Sequence, residues 1–485
     1  MKLKQIVLLI MLVAVSTASA TVYQVAPGDN LAAVISKLNP GDELYLADGQ
    51  YDLTSTLKIN RSGTATQPIL IAAADGATPV LDFRSLALET NGVTVGGNYL
   101  YIRGLTIRYA GKKGIWLEKA AYCTLEGLEV YGCCDSGIQL RSGGHNTVVN
   151  CDSHDNFDYH TEEKDGKGGP GGNADGFADK QGDACAGNVY IGCRAWGNSD
   201  DGWDSFQRVT SGAPTVYINC IAYNNGRPSI DLSTNPRATG VDAERFVGQD
   251  LTQIVNKGNP NGFKLGGKKG DNGTIHNTEL YRCLAVGHRS KGFDQNNNAG
   301  TMTIVNCTAY ANNINYGFGN PYAYTLFLYN NISLGAVDSD IKTHSSGTVT
   351  QSHNTWLNGF ATSDADFESL DVEKLILAPR HADGTLAETA LLRLKSTASN
   401  LIDKGKIIDK TLFSGDGIAD YVTHNGSAPD LGCYETAGDV SAISGITTDT
   451  GELNPHQPCY DLNGRRIDVR NYKGVVIQNG RKIRR

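Results

Sequence analysis

The chain has 485 residues, a formal net charge of -8, 57 glycines and 11 cysteines. The negative balance argues against nucleic acid as a partner, because neutralising phosphates requires an excess of Lys and Arg. It leaves an acidic polymer open, since a bound cation and local basic side chains reverse the sign inside one groove. Abundant glycine and recurring Asn-rich turns suit an all-β chain with many tight corners.

Residues 1–20 read as a secretory signal. Lys2 and Lys4 precede the apolar run Ile6 to Val15, and Ala18-Ser19-Ala20 supplies a small-residue cleavage site. The mature protein is therefore expected to start at Thr21 and to be exported to the periplasm, cell surface or medium. No cysteine follows the cleavage site to carry a lipid, and no later apolar run is long enough to cross a bilayer. Asp29 then precedes Leu31, Val34, Ile35 and Leu38, a helical spacing with an N-cap that predicts a short cap over one end of the fold.

From residue 105 onward a repeat takes over. Leu105-Thr-Ile107, Leu128-Glu-Val130, Cys151-Asp-Ser153, Cys193-Arg-Ala195, Cys220-Ile-Ala222, Cys283-Leu-Ala285, Cys307-Thr-Ala309 and Ile332-Ser-Leu334 align as short strands with alternating small or apolar residues. Gly114-Ile115, Gly137-Ile138, Gly202-Trp203, Gly292-Phe293 and Gly317-Phe318 follow in nearly constant phase, with a full period of roughly 23 to 30 residues. Two strands in fixed phase predict a parallel β-solenoid. The aligned cysteines then point inward as small buried hydrophobes; Cys133, Cys134, Cys185, Cys433 and Cys459 lie outside the register. Asn156, Asn198, Asn225 and Asn312, with His288 in one coil, are expected to stack as a ladder at one corner. Phe177, Trp203, Phe263, Phe293 and Phe318 form a second inward column.

The chemistry lies where two coils repeat an Asp-Gly-aromatic frame, Asn173-Ala174-Asp175-Gly176-Phe177 and Ser199-Asp200-Asp201-Gly202-Trp203-Asp204. Carboxylates in matching frames, with no His or thiolate among them, suit a hard cation with many oxygen ligands, calcium above zinc. Side chains alternate along a strand, so the residue after each inward aromatic points outward. That column holds Ala178, Asp204, Lys264 and Asp294. Coils lie about 4.8 Å apart, which places Asp175 one coil from Asp201 and Lys264 one or two coils from Asp204. The interval between 204 and 264 leaves room for another strand at Ser229-Ile230-Asp231.

A cation site with a lysine close by suits β-elimination from a uronic acid polymer. The C5 proton is barely acidic, so a cation must offset the adjacent carboxylate and stabilise the enolate-like charge while a base removes the proton. Lysine titrates near ~10.4 in isolation. A divalent ion about 6 Å away at an effective dielectric of about 20 repels an ammonium by roughly 5 kcal/mol before the aspartates offset it, which favours the neutral amine.

At these positions the sequence resembles the family 9 polysaccharide lyases. The likeness rests on Asn173 to Phe177, Gly192 to Asp204 and Asn261 to Gly267, and it extends over residues 22 to 435. The resemblance implies a right-handed parallel β-helix that cleaves pectic polymers by calcium-assisted anti-elimination, with homogalacturonan and the rhamnogalacturonan I backbone both open as substrates. Carried over by position, it makes Asp175, Asp200, Asp201 and Asp204 calcium ligands and Lys264 the base.

Arg289 and Lys291 flank the next strand as candidate partners of substrate carboxylates. The loop Phe157 to Gly172 precedes Asp175 and either walls the groove or is a plain surface insertion. The solenoid is expected to occupy 21–435, with Phe367 to Glu435 losing the register and packing along the coils or capping them. A polar linker is expected over 436–455 and a small basic β module over 456–485, resembling the sorting tails of exported proteins. A capped solenoid is expected to be a monomer. Two other readings remain: a β-helical pectin hydrolase using Asp200, Asp201 and His288, and a noncatalytic glycan-binding solenoid with structural calcium.

Overall fold

The computed structural model describes residues 20–436 apart from 165, 166, 181, 211, 268–272 and 399, together with four short strands between 459 and 484. The expected signal segment and linker lie outside the described residues, except for their boundary positions 20 and 436. Short strands succeed one another in threes, each laid on its counterpart one coil earlier, and build three parallel sheets of 12, 10 and 10 strands. Leu100–Arg103 enters the first sheet, Thr106–Arg108 the second and Ile115–Glu118 the third. Thr124–Glu126 then returns to the first sheet and pairs in parallel with Leu100–Arg103. The chain is a parallel β-helix.

The repeat read from the sequence contains the strands of the second and third sheets. First-sheet strands such as Val189–Ile191 and Thr215–Ile218 carry no recurring marker residue, so they escape that reading. The corner between the first and second sheets needs a left-handed residue. Gly192 supplies it at φ 61° and Asn219 at φ 53°, because glycine and asparagine tolerate that region best.

The interior is built of columns. Cys151, Cys193, Cys220, Cys283 and Cys307 are fully buried, and every cysteine whose side chain is described is free. Behind the site, Phe177, Trp203, Phe263 and Phe293 stack with ring centroids 4.7, 4.7 and 5.2 Å apart. The asparagine ladder forms as expected. Asn198 Oδ1 accepts from the Asn156 amide N–H at 3.2 Å and from Asn156 Nδ2 at 2.8 Å, and Asn225 Oδ1 receives the same pair from Asn198. His288 continues the column between Asn225 and Asn312, at 3.1 and 2.7 Å. Each asparagine rung thus satisfies a buried backbone donor that the corner would otherwise leave unpaired.

Several expectations change in the structure. Thr308 pairs with Ile332, so Asn331 occupies the cysteine position and Ile332 faces outward. A one-residue slip exchanges the two faces of a strand. Phe293 stands opposite Tyr316, which takes the next place in the aromatic stack at 5.0 Å, and Phe318 is buried beyond it. The helix near the N-terminus spans Leu31–Ile35, and its N-cap is Asn30 rather than Asp29, with Asn30 Oδ1 accepting from Ala33 N–H. Leu31, Ile35 and Leu38 are buried in the core cluster with Leu44, Leu46 and Leu57. Ser229–Ile230 is no coil strand: it pairs antiparallel with Ile254–Val255.

That hairpin belongs to an insertion containing the helix Pro236–Thr239. Leu232, Ala238, Phe246 and Ile254 pack against Phe157 and Tyr159 from the earlier loop. Tyr159 Oη donates to Asp242 at 2.7 Å, and Arg237, fully buried, donates to the Arg84 carbonyl at 3.0 Å. The two insertions therefore brace each other and the coil beneath. The segment from Phe367 to Tyr434 packs along the flank, with Leu391, Leu401 and Leu431 against Leu284 and Ile332, and Ile408, Phe413 and Ile418 against Val216 and Ile218. Cys459–Tyr460, Arg466–Ile467, Val475–Gln478 and Arg481–Arg484 form a separate four-stranded antiparallel sheet.

Candidate metal and base site

The outward face of the third sheet gathers the predicted residues. Phe177 pairs with Trp203 and Trp203 with Phe263, so Asp204 stands beside Ala178 on one side and Lys264 on the other. After the coil strands Thr215–Ile218 and Ile221–Tyr223, the insertion between 226 and 261 loops out, and Lys264 comes to lie one coil from Asp204. Asp175 lies one coil from Asp201, whose amide N–H donates to Asp175 Oδ1 at 3.2 Å.

The Lys264 ammonium sits 2.8 Å from Asp201 Oδ2 and 3.2 Å from Asp204 Oδ1. Its charge also lies 5.7 Å from the centre of the Phe206 ring, a cation–π contact. Asp201 Oδ1 accepts from Asn261 N–H at 2.7 Å and from Asn261 Nδ2 at 2.8 Å. Asp204 Oδ1 also accepts from Phe206 N–H at 2.8 Å. Asp200 Oδ1 accepts from Asn259 N–H at 3.0 Å.

A second lysine completes the cluster. Lys180 Nζ lies 2.7 Å from Asp175 Oδ2 and 2.9 Å from Asp204 Oδ2. The sequence reading missed it. The signal was present, since Lys180 follows Phe177 by three positions and so shares the outward parity of Ala178. Ser136, on the preceding coil, donates to Asp175 Oδ2 at 2.9 Å.

Burial and mutual repulsion dominate the electrostatics. Burial first, with Asp204 and Asp201 adding to it, pushes the Asp175 carboxyl up to about 7 despite Lys180. Burial likewise raises Asp201 to about 6, against the pull of Lys264, and Asp200, beside Asp201, lies well above the usual carboxylate range. Asp204 is the exception: burial opposes its charge, but Lys180 and Lys264 outweigh that and hold it low. Burial would lower Lys264, yet Asp201 and Asp204 overcome it and keep the ammonium charged.

Asp175, Asp200 and Asp201 each present a carboxylate oxygen, and these oxygens lie within 4.8 Å of one another. The all-oxygen donor set fits a hard divalent cation such as calcium. Asp204 lies outside that triplet, with its oxygens set against the two lysines and Phe206.

The remaining candidates are engaged elsewhere. Arg289 donates to the Asn256 carbonyl at 3.3 Å and to the Gly258 carbonyl, bracing the insertion beside Asp200. Lys291 pairs with Asp294 at 2.7 Å. His288 is locked in the ladder and 2% exposed. The insertion borders the site through Asn259 and Gly258, and the loop ending at Gly172 supports it through Pro170, whose carbonyl accepts from Lys257 N–H at 2.8 Å. Among the described residues no helix is long and apolar enough to cross a membrane.

Comparison with known proteins agrees with this architecture. The family described as "Pel9A-like, right handed beta helix region" matches residues 13–331. Pectate lyase L of Dickeya dadantii (strain 3937) is 35% identical over 443 residues, covering 85% of this chain and 90% of that protein. The crystal structure of pectate lyase Pel9A superposes with a TM-score of 0.69 at 33% identity, covering 87% of this chain and 97% of that one. A rhamnogalacturonan lyase shares the fold, with a TM-score of 0.62 at 23% identity over 78% of this chain and 98% of that one.

Proposed function

The chain belongs to the Pel9A-like right-handed β-helix family of lyases, and on that premise we propose that it is an exported, calcium-dependent lyase of pectic galacturonate polymers. Asp175, Asp200, Asp201 and Asp204 would hold the ion, and Lys264 is the base. The observation that carries this reading is the Lys264 ammonium set against Asp201 and Asp204 on the outward face of the third sheet.

Calcium bound there supplies positive charge against the uronate carboxylate and offsets the aspartates that otherwise keep Lys264 protonated. As the neutral amine, Lys264 Nζ takes the C5 proton. The C5–H electron pair forms the C4=C5 double bond, the C4–O bond breaks, and the departing oxygen takes a proton from water. The products are a new chain end and a 4,5-unsaturated uronate. Asn261 holds Asp201, and Phe206 N–H holds Asp204, so that neither carboxylate swings away from the lysine. Homogalacturonan is the favoured polymer, because the relatives above 30% identity are named pectate lyases.

The hydrolase reading loses its third residue, since both ring nitrogens of His288 are engaged by Asn225 and Asn312. The test is ultraviolet absorbance during incubation with polygalacturonate and, separately, with the rhamnogalacturonan I backbone, each with calcium and with chelator. A rise abolished by chelator supports the proposal and names the polymer. New reducing ends without absorbance would mean hydrolysis, and binding with neither would mean a glycan-binding solenoid.

A further inference from the structure

The proposed reaction gives Lys180 no part in proton removal, yet it is the more deeply buried of the two lysines, with 11% of its side chain exposed against 16% for Lys264. A buried ammonium is tolerated only where carboxylates pair with it. Here Nζ bridges Asp175 Oδ2 and Asp204 Oδ2, on adjacent coils. Ala178, between Asp175 and Lys180 in the chain, has only a methyl group and leaves the path across the strand open. The lysine therefore occupies carboxylate oxygens that a divalent cation would use, and its own charge repels such an ion.

We propose that Lys180 is a built-in counter-cation, which holds the carboxylate cluster together without metal and competes with calcium for Asp175 and Asp204. It thereby sets the calcium affinity of the site. Asp204 is the hinge of this competition, because among the described residues it alone pairs with both lysines. Removing Lys180 frees oxygens of Asp175 and Asp204 and lifts a repulsion, at the cost of crowding four carboxylates against one ammonium when no metal is present. A purely structural lysine predicts the opposite: its loss would disorder Asp175 and Asp204 and weaken calcium binding. The inference rests on the calcium reading of the cluster, and the experiment separates the two.

Calcium binding is measured by calorimetry on the full mature chain, as wild type, Lys180→Met, Lys180→Gln and Lys180→Arg, with thermal unfolding of each in chelator and in calcium. The expected result is a tenfold or greater gain in calcium affinity for Lys180→Met and Lys180→Gln, a lower unfolding temperature in chelator, and a larger upward shift on adding calcium. Lys180→Arg, which keeps the charge, shows no gain. A Met or Gln variant that folds only in calcium also supports the proposal. Unchanged or weaker calcium binding by both neutral variants overturns it, as does a failure of both to fold even in saturating calcium. If the wild type itself binds no calcium, the cation reading of the cluster fails, and the proposal with it.

Discussion

Asp204 and Lys264 occupy the same register position on adjacent coils although fifty-nine residues separate them in the chain, and their charged atoms lie 3.2 Å apart. The contact is made by the parallel ladder: Trp203 pairs with Phe263 inside, so the next residue of each strand must meet outside. The geometry of the site depends on an intact core.

Lys264→Ala should reduce the rate of unsaturated-product formation by three orders of magnitude or more, in line with about 10²–10⁴ for general acid–base groups. Calcium should still bind, because the carboxylates remain. Absorbance assays paired with calorimetry check both halves, and residual activity within tenfold of wild type would remove Lys264 from the role of base.

Chelation should both silence the enzyme and lower its unfolding temperature. At calcium a hundredfold above its dissociation constant, mass action stabilises the fold by about 2.7 kcal/mol. Asp200→Asn and Asp201→Asn should each weaken binding at least tenfold and shrink that thermal shift. Differential scanning calorimetry with and without calcium would expose a site that takes no ion.

Trp203→Ala should cost about 4 kcal/mol, since it empties the place between Phe177 and Phe263 in a fully buried stack. Trp203→Phe should cost much less. Because Asp204 is the neighbouring residue on that strand, the alanine variant also loses calcium affinity, whereas a remote core truncation in the first sheet, Ile102→Ala, does not. Urea unfolding and calcium titration of the three variants make the comparison.

His288 should make the fold acid-sensitive. Burial depresses its imidazole to about 4, against the hydrogen bond to Asn312. A depressed folded-state value means that the contribution of the neutral ring is complete above the unfolded value near 6.5 and is lost as pH falls toward 4. The loss amounts to about 3 kcal/mol over that window. His288→Asn, which extends the asparagine ladder, should remove this share of the pH dependence. Denaturation midpoints of both proteins at pH 7 and pH 4.5 isolate it, because the aspartates titrate equally in each. Parallel pH profiles would show that His288 is not the group responsible.

Arg237→Ala should loosen the insertion without unfolding the coils. It takes the guanidinium, 2.7 Å away, from the buried Asp242 carboxylate, leaving it the Tyr159 hydroxyl, and breaks the tie to the Arg84 carbonyl. Limited proteolysis should then cut between 226 and 260 while the main unfolding transition moves little.

Much of this was legible in the chain itself. The period, the inward cysteines and the alternation of each strand determined that Asp175 meets Asp201 and that Asp204 shares a column with Lys264, because parallel coils stack in register and parity assigns the face. The asparagine ladder followed from the same arithmetic, His288 included. Where a coil has no marker residue or the phase slips, the reading slips too, as at Ile332 and Phe318. Tertiary structure alone decided the rest. That the insertion after Asp204 loops out and leaves Lys264 one coil away depends on its packing against Phe157 and Tyr159, which no repeat encodes. That Lys180 reaches back over Ala178 to two carboxylates, and that Arg289 turns to the carbonyls of Asn256 and Gly258, depends on where flexible side chains find partners in three dimensions. Periodicity specifies which face a residue occupies; the local balance of charge, burial and hydrogen bonding decides what it touches there.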